Sequence, residues 1–326
     1  MIQGAAGTLA ALLGVVGLFF FLERWSGWRL FRYLPPLIWI YTLPVLLGNA
    51  GVIAQSGPLY DALKEYALPI FIVLMLLQID VVAVVRVIGR GMLVMLVGSL
   101  GVVVGAPIAY LVVGRFLGPE GWKGFGALAG SWIGGTGNMA AIAAGIGTPP
   151  AEMGLAVLAD NAVYIVWLPI LLASRAWAGR FQRFSGADPE RTRRMEAALE
   201  AIRPAESPMA MRHVVYLALI GLCVALLAGR LAPLMPEIGP VLTASTWKIL
   251  LVTTIGVLLS LTPARRIPGS HALAMAIVYL FVASMGARAE LAGLARAPWF
   301  LAGAFLWISV HGLFCLLGAR LLLVDI

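Results

Sequence analysis

The sequence predicts an all-α, polytopic transmembrane helical bundle, and three observations predict it. Of 326 residues, 61% are hydrophobic and only 12% charged, with a mean hydropathy of +0.97. A soluble domain carries roughly twice that charged fraction, so a water-facing surface cannot be built from this chain. The apolar residues fall in repeated blocks of about 18 to 25, the length a helix needs to cross a ~30 Å hydrocarbon core. Finally, the runs are continuous, whereas a transmembrane β-barrel alternates apolar and polar residues over ~10-residue strands. Ordinary cytoplasmic or secreted folds are excluded.

The blocks run over residues 4–22, 34–54, 67–85, 91–117, 124–146, 150–174, 212–229, 244–262, 269–287 and 299–323, ten candidate spans with mostly short connections. The first lacks a basic leader and a small-residue cleavage site and is followed by further spans, so it reads as a retained helix. Trp25, Trp28, Trp122, Trp247 and Trp299 flank spans and read as interfacial anchors. Cys223 and Cys315 lie inside apolar blocks and imply neither a disulfide framework nor a metal site. The net charge of +8 is carried by arginine, since the lysines are Lys64, Lys123 and Lys248. In a membrane protein such an excess marks cytoplasmic loops and anionic headgroups, so membrane lipid is an expected partner and nucleic acid is not.

The segment from Arg175 to Arg212 departs from this pattern. It interleaves Arg180, Arg183, Arg191, Arg193, Arg194 and Arg203 with Asp188, Glu190, Glu196, Glu200 and Glu206. Asp188-Pro189-Glu190 is a helix start and Pro204 a stop, which predicts a short surface helix. The expected organisation is a first transmembrane repeat at 1–174, a charged loop at 175–211 and a second repeat at 212–326. Leu76–Arg86 (LLQIDVVAVVR) and Gly286–Arg296 (GARAELAGLAR) match in pattern at a separation of 210, with Asp80 on Glu290 and Arg86 on Arg296. The same shift places block 4–22 on 214–232 and 34–54 on 244–264. It also projects the polar stretch Ser131–Asn138 to 341–348, beyond Ile326. The second repeat is therefore expected to lack its crossing helix, as in a chain missing the last two helices of a longer protein. Simple alternation puts Arg24, Arg29 and Arg32 opposite the long loop; the eight arginines of that loop favour its being cytoplasmic.

The most informative stretch is Gly130–Ala144, GSWIGGTGNMAAIAA, which carries Ser131, Thr136 and Asn138 among Gly130, Gly134, Gly135 and Gly137. Glycine costs a helix interior ~1 kcal/mol relative to alanine. Gly134, Gly135 and Gly137 together predict an unwound break, tolerated at membrane depth only inside protein or beside a wet cavity. The half-helix ends can hold an anion and a cation. Close helix packing alone would explain the small residues but not Asn138.

Asp160-Asn161 sits in the next block with apolar residues on both sides for several turns. A carboxylate near the centre of a membrane helix costs ~2.5–3.5 kcal/mol and needs a partner, a cation or a proton. Sodium takes oxygen ligands, and Asp160, Asn161, Thr136 and Asn138 supply them, making these four the candidate ion ligands. The blander reading is a buried Asp satisfied by a helix break or an arginine. Asn49, Gln78 and Asp80 near block ends read as interfacial. Glu152 reads as a first-turn carboxylate favoured by the helix dipole, and His311 as a satisfied interhelical donor.

The run SWIGGTGN (Ser131–Asn138) followed by LADN (Leu158–Asn161) resembles the bacterial membrane-protein family classed as domain of unknown function 819. That family looks like a branch of the superfamily of cation/proton antiporters and bile-acid-type sodium symporters. The resemblance implies two inverted repeats, a panel and a core domain, two broken helices crossing in the core and elevator-like movement. It places the first broken helix at Ala127–Gly147 and sets Asp160-Asn161 where the antiporters carry a carboxylate pair. Two departures stand out: the pair is Asp-Asn, and the second glycine/asparagine segment is absent. A multi-pass location in the bacterial inner membrane and a homodimer through the panel domain follow from the same analogy.

The function expected is a cation-coupled secondary transporter, not an enzyme, with no cofactor beyond a bound sodium ion or proton. A small-molecule or ion substrate would rest against the broken helix at Ser131, Gly134, Gly135 and Gly137. No P-loop pattern supports an ATP-driven pump in this chain. The alternatives are a channel or membrane receptor and, less favoured, an intramembrane hydrolase; Ser131 with His311 has no supporting spacing and Asp160 no evident partner acid.

Overall fold

The structure is a computed structural model and describes residues 2, 4–28, 31, 36–80, 89–174, 178–188, 190, 208–239, 242–289 and 295–324. Among these there is no strand, only isolated bridges, and the long elements are all helical. Five described helices are long and apolar enough to cross a membrane: Ala5–Ser26, Gly91–Phe116, Met211–Leu234, Ser270–Arg288 and Ala297–Leu322. Pro36–Asn49 and Ala244–Ser260 are apolar but shorter. The chain is an all-α polytopic membrane protein.

We number the helices in chain order: α1 (Ala5–Ser26), α2 (Pro36–Asn49), α3 (Pro58–Ala62), α4 (Leu68–Leu77), α5 (Arg90–Val113), α6 (Gly121–Gly134) and α7 (Thr136–Gly145). There follow α8 (Pro150–Ser174), α9 (Ala178–Ser185), α10 (Met211–Leu231), α11 (Ala244–Ser260), α12 (Ser270–Arg288) and α13 (Ala297–Leu322). A π-helical turn, Leu63–Ala67, joins α3 to α4. The expected span at 124–146 is instead two short helices, and that at 67–85 begins earlier, with Pro58 in the first turn of α3. A short helix, α9, lies in the charged loop ahead of the helix expected from Asp188 to Pro204. At its predicted start Asp188 accepts a hydrogen bond from the Glu190 amide (3.0 Å), but residues 191–207 lie outside the described residues.

Two compact units are distinguished by their internal packing: residues 1–79, 118–161 and 207–297 in the first, 80–117, 162–206 and 298–326 in the second. In the first, Leu12, Val16, Ile40, Ile53, Tyr60, Ala283 and Ala287 form a buried cluster. Helix α12 packs against α1 and α2, α4 packs against α10 and α11, and α4 and α12 pack on each other. The α2–α12 seam is close enough that a Cβ on Gly48 would lie 2.1 Å from the Ala287 carbonyl oxygen, and one on Gly286 2.3 Å from that of Tyr41. Small residues are what permit such backbone approach inside a membrane. Asn49 then donates to the Ala289 carbonyl (2.8 Å), taking up a group that α12 leaves unpaired at its end. Gln78 and His271 are hydrogen-bonded at 3.1 Å.

The 210-residue shift also orders these helices. It carries Pro36–Asn49 onto 246–259, within α11, and residues 58–77 onto 268–287, nearly the bounds of α12. It carries α1 onto 215–236, overlapping α10, and α5 onto 300–323, overlapping α13. The packing respects this exchange: α1 and α2 meet α12, as their shifted counterparts α10 and α11 meet α4. Of the four charges in the sequence match, Arg86 and Glu290 lie outside the described residues. Arg296 forms an ion pair with Glu152.

In the second unit α5 and α13 meet through glycines. Trp307 donates its indole N–H to the Val102 carbonyl (2.8 Å), and a Cβ on Gly105 would lie 2.5 Å from that ring. His311 Nδ1 lies 2.9 Å from the Gly98 carbonyl; facing an acceptor, this nitrogen is the donor.

Candidate functional site

The chain breaks at the glycines, as the sequence predicts, and the break is a reversal within one residue. α6 ends at Gly134, α7 begins at Thr136, and Gly135 between them has φ +86° and ψ −178°. This region of backbone space is essentially restricted to glycine. The two helices then run back along each other. A Cβ on Gly134 would lie 1.7 Å from Asn138 Nδ2, one on Gly130 2.8 Å from the Asn138 carbonyl oxygen, and one on Gly126 2.9 Å from Ile146 Cδ1. Pairings that step back as the chain advances define an antiparallel hairpin, which differs from a helix interrupted midway and continuing across the core. The physical reason is the run of small residues on α6, which lets α7 lie against its backbone. α7 also docks on α4 and α11: the Phe71 ring would be 2.1 Å from a Cβ on Gly137, and Thr246 donates to the Gly145 carbonyl (3.1 Å).

Asp160 lies well inside α8, opposite the last turn of α6. Ser131 Oγ donates to Asp160 Oδ2 (2.9 Å) and Trp132 Nε1 donates to Oδ1 (3.1 Å). Consecutive residues on α6 thus supply one neutral donor to each oxygen. Among the described residues no arginine, lysine or histidine pairs with this carboxylate. An ionised carboxylate offers about four acceptor positions, and only two are taken by these donors. The arrangement leaves room for a proton, a water or a hard cation at the remaining lone pairs.

Of the residues singled out in the sequence, the structure brings Ser131 together with Asp160. Asn161 donates to the Val157 carbonyl of its own helix (2.7 Å), which leaves its carbonyl oxygen as an acceptor. Thr136 and Asn138 lie beyond the reversal on α7, and neither hydrogen-bonds Asp160 among the described residues. Gly134 and Gly137 serve close approach, and Gly135 serves the turn. Trp132 was not anticipated. Its tryptophan identity suggests only bulk and an interfacial preference, and its position beside Ser131 was the one available signal.

Glu152, in the first turn of α8 as expected, is 2% exposed and paired with Arg296, which donates from Nη1 to Oε1. Oε2 of Glu152 is buried and has no hydrogen-bond partner among the described residues.

Fold and site together define a helical membrane protein that keeps a carboxylate, held by neutral donors, inside an apolar helix. The family model described as "Protein of unknown function (DUF819)" matches residues 10–326, and the chain belongs to that family. It is similar to the uncharacterized membrane protein YjcL of Bacillus subtilis (strain 168), 28% identical over 260 residues, an alignment covering 76% of this chain and 64% of that protein. The chain thus spans less than two thirds of the length of that relative. No solved structure matches.

Proposed function

We propose that the protein is a cation-coupled secondary active transporter of the bacterial inner membrane, in which Asp160 binds the coupling ion. The observation that carries this reading is the Asp160 carboxylate in α8, held by Ser131 and Trp132 with no cationic side chain paired to it among the described residues. A charge there is costly unless a cation or proton neutralises it, so ion binding and the state of this site are coupled. Sodium would complete its oxygen shell from Asp160, water and the Asn161 carbonyl oxygen; a proton would sit on Asp160 alone. Ser131 then belongs to the ion site, and the Gly134–Gly137 hairpin forms its wall.

The exchange of packing partners between the α1, α2, α12 and the α10, α11, α4 groups supports a chain of two structural repeats, 1–174 and 212–326 joined by the loop 175–211. Paired repeats around a midplane ion site are the usual basis of alternating access. The further expectations are elevator-like movement, symport or antiport of a small solute without chemical conversion, and dimerisation through the panel helices.

The test is the melting temperature of purified protein in sodium against potassium or choline, at several pH values, for wild type and Asp160→Asn. A ligand at about one hundred times its dissociation constant stabilises by ~2.7 kcal/mol. The expected result is a sodium-specific or pH-dependent rise in the wild type that Asp160→Asn removes. No response in either protein would make Asp160 a structural group and return the channel or receptor reading.

A further inference from the structure

The first unit contains a cavity of about 270 Å³ away from Asp160, lined among others by Tyr60, Lys64, Thr148, Phe281, Ser284 and Arg288. Among the described residues it presents two cations and no carboxylate. We propose that this cavity binds a small soluble organic anion, a carboxylate or phosphate ester, through Lys64 and Arg288, and that this anion is the transported solute. The role as cargo rests on the transporter reading; the binding does not.

Lys64 lies in the π-helical turn Leu63–Ala67. Single π-helical turns occur mostly inside α-helices and frequently at functional sites. Its acidic neighbour Glu65 is already occupied: Lys248 of α11 donates to the Glu65 carboxylate (2.5 Å) and to its main-chain carbonyl (2.9 Å). Asp61, one turn earlier, forms no ion pair among the described residues. Among the described residues no carboxylate therefore pairs with Lys64 at the cavity.

Arg288 is the last residue of α12 and partly buried. Its guanidinium stands 5.7 Å from the Tyr60 ring centroid, and the Tyr60 hydroxyl is directed away, donating to the Ala54 carbonyl (2.5 Å). Among the described residues no acceptor meets the Arg288 donors. An arginine held against an aromatic face with its fork of N–H groups free is suited to a carboxylate or phosphate.

The rest of the lining suits an organic anion. Phe281, Met285, Ala143 and Ala144 supply apolar wall, while Thr148 and Ser284 supply hydroxyls. Their protons go to the Lys123 and Phe281 carbonyls, which leaves the oxygens to accept from ligand donors. The volume is just below the ~300–1,000 Å³ range of small-molecule sites, which favours a compact solute over a large one.

The test is the melting temperature of the purified full chain in neutral phosphatidylcholine nanodiscs, titrated with succinate, benzoate and glycerol 3-phosphate, and with neutral succinamide as control. Wild type, Lys64→Gln, Arg288→Gln and Arg288→Lys are compared, each with and without sodium. The expected result is saturable stabilisation by at least one anion and none by succinamide. The half-saturating concentration should rise about tenfold or more in Lys64→Gln and Arg288→Gln, and less in Arg288→Lys. Nanodiscs containing phosphatidylglycerol but no soluble anion form a separate arm. No response to any anion, a response undiminished in both glutamine variants, or stabilisation by phosphatidylglycerol alone would overturn the proposal. The sodium response of Asp160 is read in the same samples, so failure here and failure of the coupling-ion reading are told apart.

Discussion

At the scale of single residues the account turns on two carboxylates that the chain holds differently. Asp160 takes hydrogen bonds from Ser131 and Trp132, while Glu152 takes a guanidinium, that of Arg296. Hydrogen bonds to charged groups contribute ~1.5–3 kcal/mol. Ser131→Ala should therefore lower stability by about 1–3 kcal/mol, and the effect should shrink in an Asp160→Asn background, a coupling that a double-mutant cycle in thermal melts measures. Arg296→Leu strands a carboxylate that is 2% exposed and should cost about 3–5 kcal/mol, with part recovered by adding Glu152→Gln. Asp160 was legible in the sequence because a charge amid apolar turns stands out. Trp132 was not, because which face of α6 meets α8 depends on helix rotation, and no periodicity in this apolar stretch fixes it. The Arg296 partner of Glu152 lies 144 positions away, where local reading has no reach.

At the scale of elements the break between α6 and α7 is the feature most directly written in the sequence. The glycines foretold the break but not its angle: an interrupted helix and a reversal need the same residues at the turn. The distinguishing signal is the series Gly126, Gly130 and Gly134, spaced by one helical turn and forming a smooth face for α7. Gly135→Ala must place a side chain at φ +86° and should destabilise by about 1–3 kcal/mol. Gly137→Ala meets the Phe71 ring at 2.1 Å and should cost about 1–3 kcal/mol by overpacking, a loss that Phe71→Leu in the same chain should partly restore. Both are read as shifts of the melting midpoint in detergent.

On the scale of the whole molecule, composition marks the membrane class, and the length and continuity of the apolar blocks mark the helical architecture. The number of spans was less legible, because apolar block length does not separate a spanning helix from a hairpin or from a helix of 14 residues such as α2. The 210-residue shift, weak as a match of residues, carries helices onto helices and packing partners onto packing partners, which is what the proposed two-repeat organisation requires. The two corresponding seams are not equally tight: a Cβ on Gly48 would meet main-chain oxygen at 2.1 Å, whereas one on Gly256 meets the Leu76 side chain at 3.2 Å. Gly48→Ala should therefore lower the melting temperature much more than Gly256→Ala, since a side chain can yield where a backbone cannot.

The central claim is that Asp160 holds a coupling cation, and direct binding of radioactive sodium to the purified protein tests it most closely. The account predicts saturable binding near one ion per chain that is lost in Asp160→Asn and weakened in Ser131→Ala, or, if the coupling ion is a proton, one proton fewer released per chain by Asp160→Asn than by wild type as pH rises. Sodium binding unchanged by Asp160→Asn, or neither ion nor proton exchange at Asp160, would contradict it.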